Sequence, residues 1–99
     1  MEYRELEQLV IKWADSRGIF EKGNPTAQAL KTVEEADELV DAIDKQDREE
    51  VVDALGDILV TIIIQAEMQG LKLEDCLLSA YNVISKRQGT MKNGQFIKE

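Results

Sequence analysis

Apolar residues recur along most of this chain at intervals of three and four, the period of an amphipathic helix. Tyr3, Leu6, Leu9, Val10 and Trp13 mark one face of a helix over about residues 2–16, and Gly18 is its stop signal. Ile19 to Gly23 carry no period and read as a loop. Asn24-Pro25 then signals a helix start, because Asn caps free backbone N–H groups and Pro fits the first turn. Leu30, Val33, Ala36, Val40 and Ile43 form the apolar stripe of this second helix, over about residues 25–45. A third helix is predicted over about 47–69, with Gly70 as terminator. Its segment Ile58 to Ile64 is β-prone taken alone. Yet Val51, Val52, Leu55, Ile58, Leu59 and Ile62 keep the helical pattern, and Gln65-Ala66-Glu67-Met68 carries it onward. A helix that becomes apolar on every side is buried on every side. Leu73, Leu77, Ala80, Tyr81 and Ile84 give the core face of a fourth helix over about 73–87. Glu74 and Asp75 sit in its first turn, where carboxylates suit the helix dipole. Residues 88–99, with Gly89 and Asn93-Gly94, read as an extended tail with a tight turn.

Four short helices joined by short loops predict an all-α fold, a four-helix antiparallel bundle forming one domain over residues 1–99. A single core from 99 residues is marginal. The third helix needs cover on all sides, so another copy of the chain is expected to complete the bundle.

Composition narrows the chemistry. The chain carries 20 Asp and Glu against 12 Lys and Arg, a net charge of −8. That balance argues against a nucleic-acid partner, which needs a basic face, and against docking on an anionic membrane. The N-terminal residues Met1-Glu2-Tyr3-Arg4-Glu5 show no signal-peptide core, and no apolar run approaches the ~20 residues of a spanning helix. A cytoplasmic protein is expected. Cys76 is the only cysteine and histidine is absent, which removes disulfides, histidine triads and the usual zinc sites. A metal site here must be built from oxygens, the donors that Mg²⁺ or Mn²⁺ prefer.

Two groups of carboxylates depart from plain solvated surface. At ~100° per residue, Glu34, Glu38 and Asp41 fall in a narrow arc, and Glu35 flanks Glu38 from one turn earlier. Like charges at this spacing destabilise a helix, and only Lys31 lies nearby to offset them. On the third helix Glu50, Asp53 and Asp57 form one stripe that runs on into Val60, Thr61, Ile64 and Met68. Acids at the edge of a core are unfavourable unless compensated, and a divalent cation is an economical compensator. Carboxylates converging from two helices are a known way to build a metal site in a bundle. Gly56 beside Asp57 leaves room for a close approach.

The ordered set of motifs resembles the MazG-like nucleotide pyrophosphohydrolases, the all-α NTP pyrophosphatase superfamily. Glu35-Ala36-Asp37-Glu38, preceded by Glu34, is similar to the family's E-x-x-E, and Asp53-Ala54-Leu55-Gly56-Asp57-Ile58-Leu59-Val60 to its second acidic motif. Gln28-Ala29-Leu30-Lys31 and the closing stretch Asn82 to Glu99 resemble small stand-alone phage or bacterial members. One position departs: the glutamate three residues before Asp57 is Ala54, with Asp53 and Glu50 adjacent on the same stripe.

The resemblance implies Mg²⁺-dependent hydrolysis of (deoxy)nucleoside triphosphates to the monophosphate and pyrophosphate, with Mn²⁺ as a second candidate ion. It implies Glu35, Glu38 and Asp57 as metal ligands, joined by Asp53 or Glu50, and Glu34 or Glu38 as the carboxylate that handles the attacking water. Lys31, Lys86 and Arg87 become candidates for triphosphate contacts, Asn82 for base or sugar, and Trp13 for stacking. A homodimer or homotetramer is implied, with the site near the subunit interface. The competing expectations are a non-catalytic acidic helical interaction module and a nucleotide-binding regulatory module that has lost turnover through Ala54.

Overall fold

A computed structural model describes residues 1–99. Helix α1 spans Tyr3–Ser16. Gly18 follows at φ 76°, a left-handed conformation that glycine adopts without a Cβ penalty. This kink lets the chain re-enter a one-turn helix, α2 (Ile19–Lys22), in the segment that reads as a loop. Four residues are too few to display a helical period, which is why the sequence conceals α2.

Helix α3 spans Pro25–Asp44, and the Asn24 Oδ1 accepts the Ala27 N–H at 2.8 Å. Helix α4 spans Arg48–Met68, where Asp47 caps the Glu50 N–H at 3.2 Å. The β-branched run Ile58 to Ile64 is helical throughout. Polar ties fix α3 against α4. Thr32 donates to the Thr61 hydroxyl at 2.8 Å, Gln28 Nε2 to the Thr61 carbonyl at 3.2 Å, and Gln65 Nε2 to the Pro25 carbonyl at 2.9 Å. Earlier residues of α3 meet later residues of α4, so the two are antiparallel neighbours. Helix α5 covers Leu73–Ile84 and stops short of Lys86 and Arg87. The tail is an antiparallel hairpin of β1 (Gly89–Lys92) and β2 (Gln95–Lys98). Asn93 and Gly94 take φ of 52° and 79°, as a two-residue type I′ turn requires. The fold is therefore mostly helical, with five helices and a small hairpin.

The apolar stripes do not point where their period suggests. The faces of α1 and α3 turned toward α4 carry Val10, Ile11 and Ala14, and Gln28, Thr32, Glu35, Leu39 and Ala42. Leu30, Val33, Val40 and Ile43, the expected core stripe of α3, are exposed, and so are Tyr3, Leu6, Leu9 and Trp13 on α1. Leu77, Tyr81 and Ile84 on α5 are also more than half exposed. Periodicity identifies an apolar face but not whether its cover comes from the same chain. Only eight residues are buried, mainly alanines and the Ile63–Ile64 pair. The accessible surface is 7979 Å², whereas a compact monomer of this mass exposes about 5,700 Å². The radius of gyration is 15.6 Å, against roughly 13 Å for a compact domain of 100 residues.

Candidate metal centre and adjoining cavities

The packing of α3 on α4 concentrates negative charge. Glu34, Glu35 and Glu38 each bring a carboxylate oxygen within 4.8 Å of the others. Glu34 and Glu38 are exposed, but Glu35 is buried at 8% relative exposure because its position on α3 faces α4. Its Oε1 lies 3.5 Å from Lys31 Nζ, and Lys31 also reaches Glu34 Oε1 at 3.4 Å. The Glu35 Oε2 is buried and has no hydrogen-bond partner. A buried carboxylate oxygen left unpaired is costly, and a cation held by these three carboxylates could compensate it. The donor set is all oxygen, which suits Mg²⁺ or Mn²⁺.

Proton affinities report the same crowding. The Glu38 carboxyl is held above its ordinary range, first by the hydrogen bond its protonated form shares with Glu35, then by the charge of Glu35. Partial desolvation and Glu34 add to the effect, and Lys31 opposes it. The Lys31 ammonium is raised by its hydrogen bond and attraction to Glu34, with Glu35 adding to both.

Two cavities flank the cluster. One, of about 320 Å³, is lined by Glu38, Asp41, Lys45, Glu50, Asp53, Ala54 and Asp57. It is an acidic cleft between the end of α3 and the start of α4, with one lysine. The other, of about 460 Å³, is more apolar. It takes Trp13 from α1, Ile19 from α2, Asn24, Gln28, Lys31 and Glu35 from the α3 side, and Asp57, Val60, Thr61 and Ile64 from α4. Asp57 lines both. Trp13 is half exposed, with the Arg17 guanidinium 5.9 Å from its ring centroid.

Eight sequence-derived candidates, Trp13, Lys31, Glu34, Glu35, Glu38, Glu50, Asp53 and Asp57, thus gather on the α3–α4 hairpin and its α1 flank, with Ala54 and Asp41 beside them. Asn82, Lys86 and Arg87 line neither cavity. They lie on or after α5, which touches α4 only lightly. Ala54 is buried in the acidic cleft with Glu50 and Asp53 beside it. Sequence reasoning passed over Asp41's neighbour Lys45 and the one-turn helix that brings Ile19 to the second cavity. The short connection after Asp44 was the available signal for the lysine, while α2 left none.

Comparison with known proteins decides the family. A family model described as the MazG nucleotide pyrophosphohydrolase domain matches residues 24–91, which include both acidic stretches and the segment from Asn82 to Arg87. The chain belongs to this family. An uncharacterized 18.2 kDa protein from the rep-hol intergenic region of Haemophilus phage HP1 (strain HP1c1) is 32% identical over 66 residues. That alignment covers 64% of this chain and 40% of the phage protein, so the chain spans about two fifths of that relative's length. No solved structure matches. No helix of this MazG domain is long and apolar enough to cross a membrane.

Proposed function

We propose that this MazG domain hydrolyses (deoxy)nucleoside triphosphates to the monophosphate and pyrophosphate with the help of Mg²⁺, Mn²⁺ being able to replace it. The observation that carries this reading is the buried, unpaired Glu35 Oε2 within the Glu34–Glu35–Glu38 cluster, facing a helix that brings Asp57 to the same cavity wall. Glu35, Glu38 and Asp57 would hold the metal, with Glu50 and Asp53 in the cleft supplying the oxygen that Ala54 lacks. When bound, the ion supplies Lewis acidity toward a phosphoryl oxygen and neutralises developing charge.

The remaining work falls to the chain. Trp13 and the apolar wall of the larger cavity receive the base, and Lys31 beside Glu35 faces the phosphates. Glu34 or Glu38 orients a water and takes its proton as the water oxygen attacks the α-phosphorus. The bond from that phosphorus to the α–β bridging oxygen breaks, and pyrophosphate leaves.

The exposed stripes support a homodimer or homotetramer in which the four long helices complete a bundle. About 2,300 Å² of surface beyond the compact expectation accords with such burial, since the chain exposes 7979 Å². Asn82, Lys86 and Arg87, which line neither cavity of their own chain, would then serve the substrate across an interface. The test is pyrophosphate release from a panel of ribo- and deoxynucleoside triphosphates, with Mg²⁺ and with chelator. Nucleotide binding without turnover across the panel would replace the enzyme by the regulatory module. Neither binding nor turnover would leave the acidic interaction module.

A further inference from the structure

Charge is divided unevenly along the chain. Residues 1–85 hold 19 acids and 8 bases, while residues 86–99 hold four bases, Lys86, Arg87, Lys92 and Lys98, and a single acid, Glu99. The hairpin that carries the last two lysines stands apart from the helices. Each strand's only substantial packing is against the other. The cross-strand pairs Met91–Phe96 and Thr90–Ile97 hold the ribbon together. The Phe96 ring also folds over Gly89, where a Cβ would stand 2.8 Å from its Cζ. Met91, Phe96 and Ile97 nevertheless remain about half exposed or more. A lone two-stranded hairpin is marginal in water, so this ribbon needs a seat.

The acidic cleft needs the opposite. Its lining holds Glu38, Asp41, Glu50, Asp53 and Asp57 against Lys45 alone. A triphosphate approaching it adds further negative charge to these five carboxylates, and no residue beyond Ile64 lines either cavity of the same chain. We propose that the β1–β2 hairpin is a cationic arm that seats at the mouth of the acidic cleft of a second copy, where its two faces present one lysine each toward the phosphates, Lys98 on the face of Met91 and Phe96 and Lys92 beside the turn on the other. This rests on the pyrophosphohydrolase reading and names the partner that completes its site. Opposite charge aligns arm and cleft, and the exposed Met91 and Phe96 give the contact its apolar part.

Subunit mixing tests the arrangement. Full-length chains carrying Glu38→Gln, with an inactive body and intact arm, are co-expressed with chains carrying Lys92→Glu and Lys98→Glu. Hybrids are isolated through two different affinity tags. Each homomer is expected to have lost most turnover. In the hybrid, the intact body meets the intact arm of its partner, so about half of the wild-type turnover per dimer returns. No recovery in the hybrid means that the arm acts within its own chain and overturns the proposal, as does failure to form any two-copy species. A second readout needs no activity. Sedimentation should show Lys92→Glu and Asp41→Lys each weakening self-association about tenfold, with the charge-swapped double variant recovering it. Should the wild type release no pyrophosphate, the function reading falls, while the charge swap still judges the arm. Lost retention of a DNA or RNA oligonucleotide in Lys92→Glu, with self-association unchanged, overturns the proposal in favour of a nucleic-acid contact.

Discussion

Replacing Glu35 by glutamine should reverse its sign of effect according to whether a divalent ion is present. Without metal, the wild type holds the Glu35 carboxylate at 8% exposure with Oε2 unpaired, and the 3.5 Å approach of Lys31 compensates only Oε1. An unsatisfied buried polar group costs about 1–3 kcal/mol. Glutamine is nearly isosteric, uncharged, and its amide can donate to the carboxylates around it. About 1 kcal/mol of that cost should be recovered, which in a domain of this size raises Tm by about 4–8 °C. With metal at a hundred times its Kd, the wild type should gain about 2.7 kcal/mol, or about 10–20 °C. The variant should gain little. Melts followed by circular dichroism, at fixed protomer concentration and with NaCl matched for ionic strength, separate specific binding from screening of the acidic surface. A Glu35→Gln chain that melts lower than wild type in chelator and keeps the full Mg²⁺ shift would refute the view that Oε2 awaits a cation.

Further outcomes follow from the same geometry. Glu38→Gln and Asp57→Asn should each cut pyrophosphate release by about 10²-fold or more with unchanged circular dichroism, and full activity in both would remove the site assignment. In chelator, the raised Glu38 carboxyl means the native state binds more protons than the unfolded chain. Stability should therefore climb as pH falls from neutrality through the raised value and level off below the ordinary carboxylate range, and subtracting a Glu38→Gln titration should isolate this contribution. Trp13 is the only tryptophan, so its emission should change when nucleoside triphosphate and Mg²⁺ are added together, and Trp13→Ala should raise KM more than it lowers kcat; unaltered emission at saturation would place the base elsewhere.

Several of these features are visible in the sequence for physical reasons. Asn24-Pro25 combines a side-chain acceptor with a residue lacking an N–H, and the structure uses both at the start of α3. The β-branched stretch Ile58 to Ile64 is helical because the pattern from Val51 onward outweighs local propensity, and Thr61 within it turns inward to bond Thr32. Asn93-Gly94 encodes its turn through two positive φ angles. Other features leave no trace in spacing. A 100° step puts Glu34, Glu35 and Glu38 near one another, but only the approach of α4 buries Glu35 and exposes its neighbours. The same step groups Leu30, Val33, Val40 and Ile43 without saying that their cover is missing from the chain itself. Asn82, Lys86 and Arg87 line neither cavity, a tertiary outcome that no local period encodes.

Exposed apolar stripes and crowded carboxylates have a common origin in the one tight pairing the chain makes. The α3–α4 contact uses small and polar groups: Ala42, Ala54, the Thr32–Thr61 hydroxyls and the Gln28 amide. Such side chains let two backbones approach closely enough for carboxylates from both helices to share one wall, which bulky aliphatics at those positions would prevent. The aliphatics are displaced to the outer faces, where they remain open in the single chain. In the proposed association another copy would cover these faces and would bring its basic segments toward an acid-rich cleft. Under this arrangement, folding, metal binding and triphosphate recognition depend on one geometric choice, the use of small residues between α3 and α4. A large residue at Ala54 would disturb all three, although it touches neither base nor phosphate.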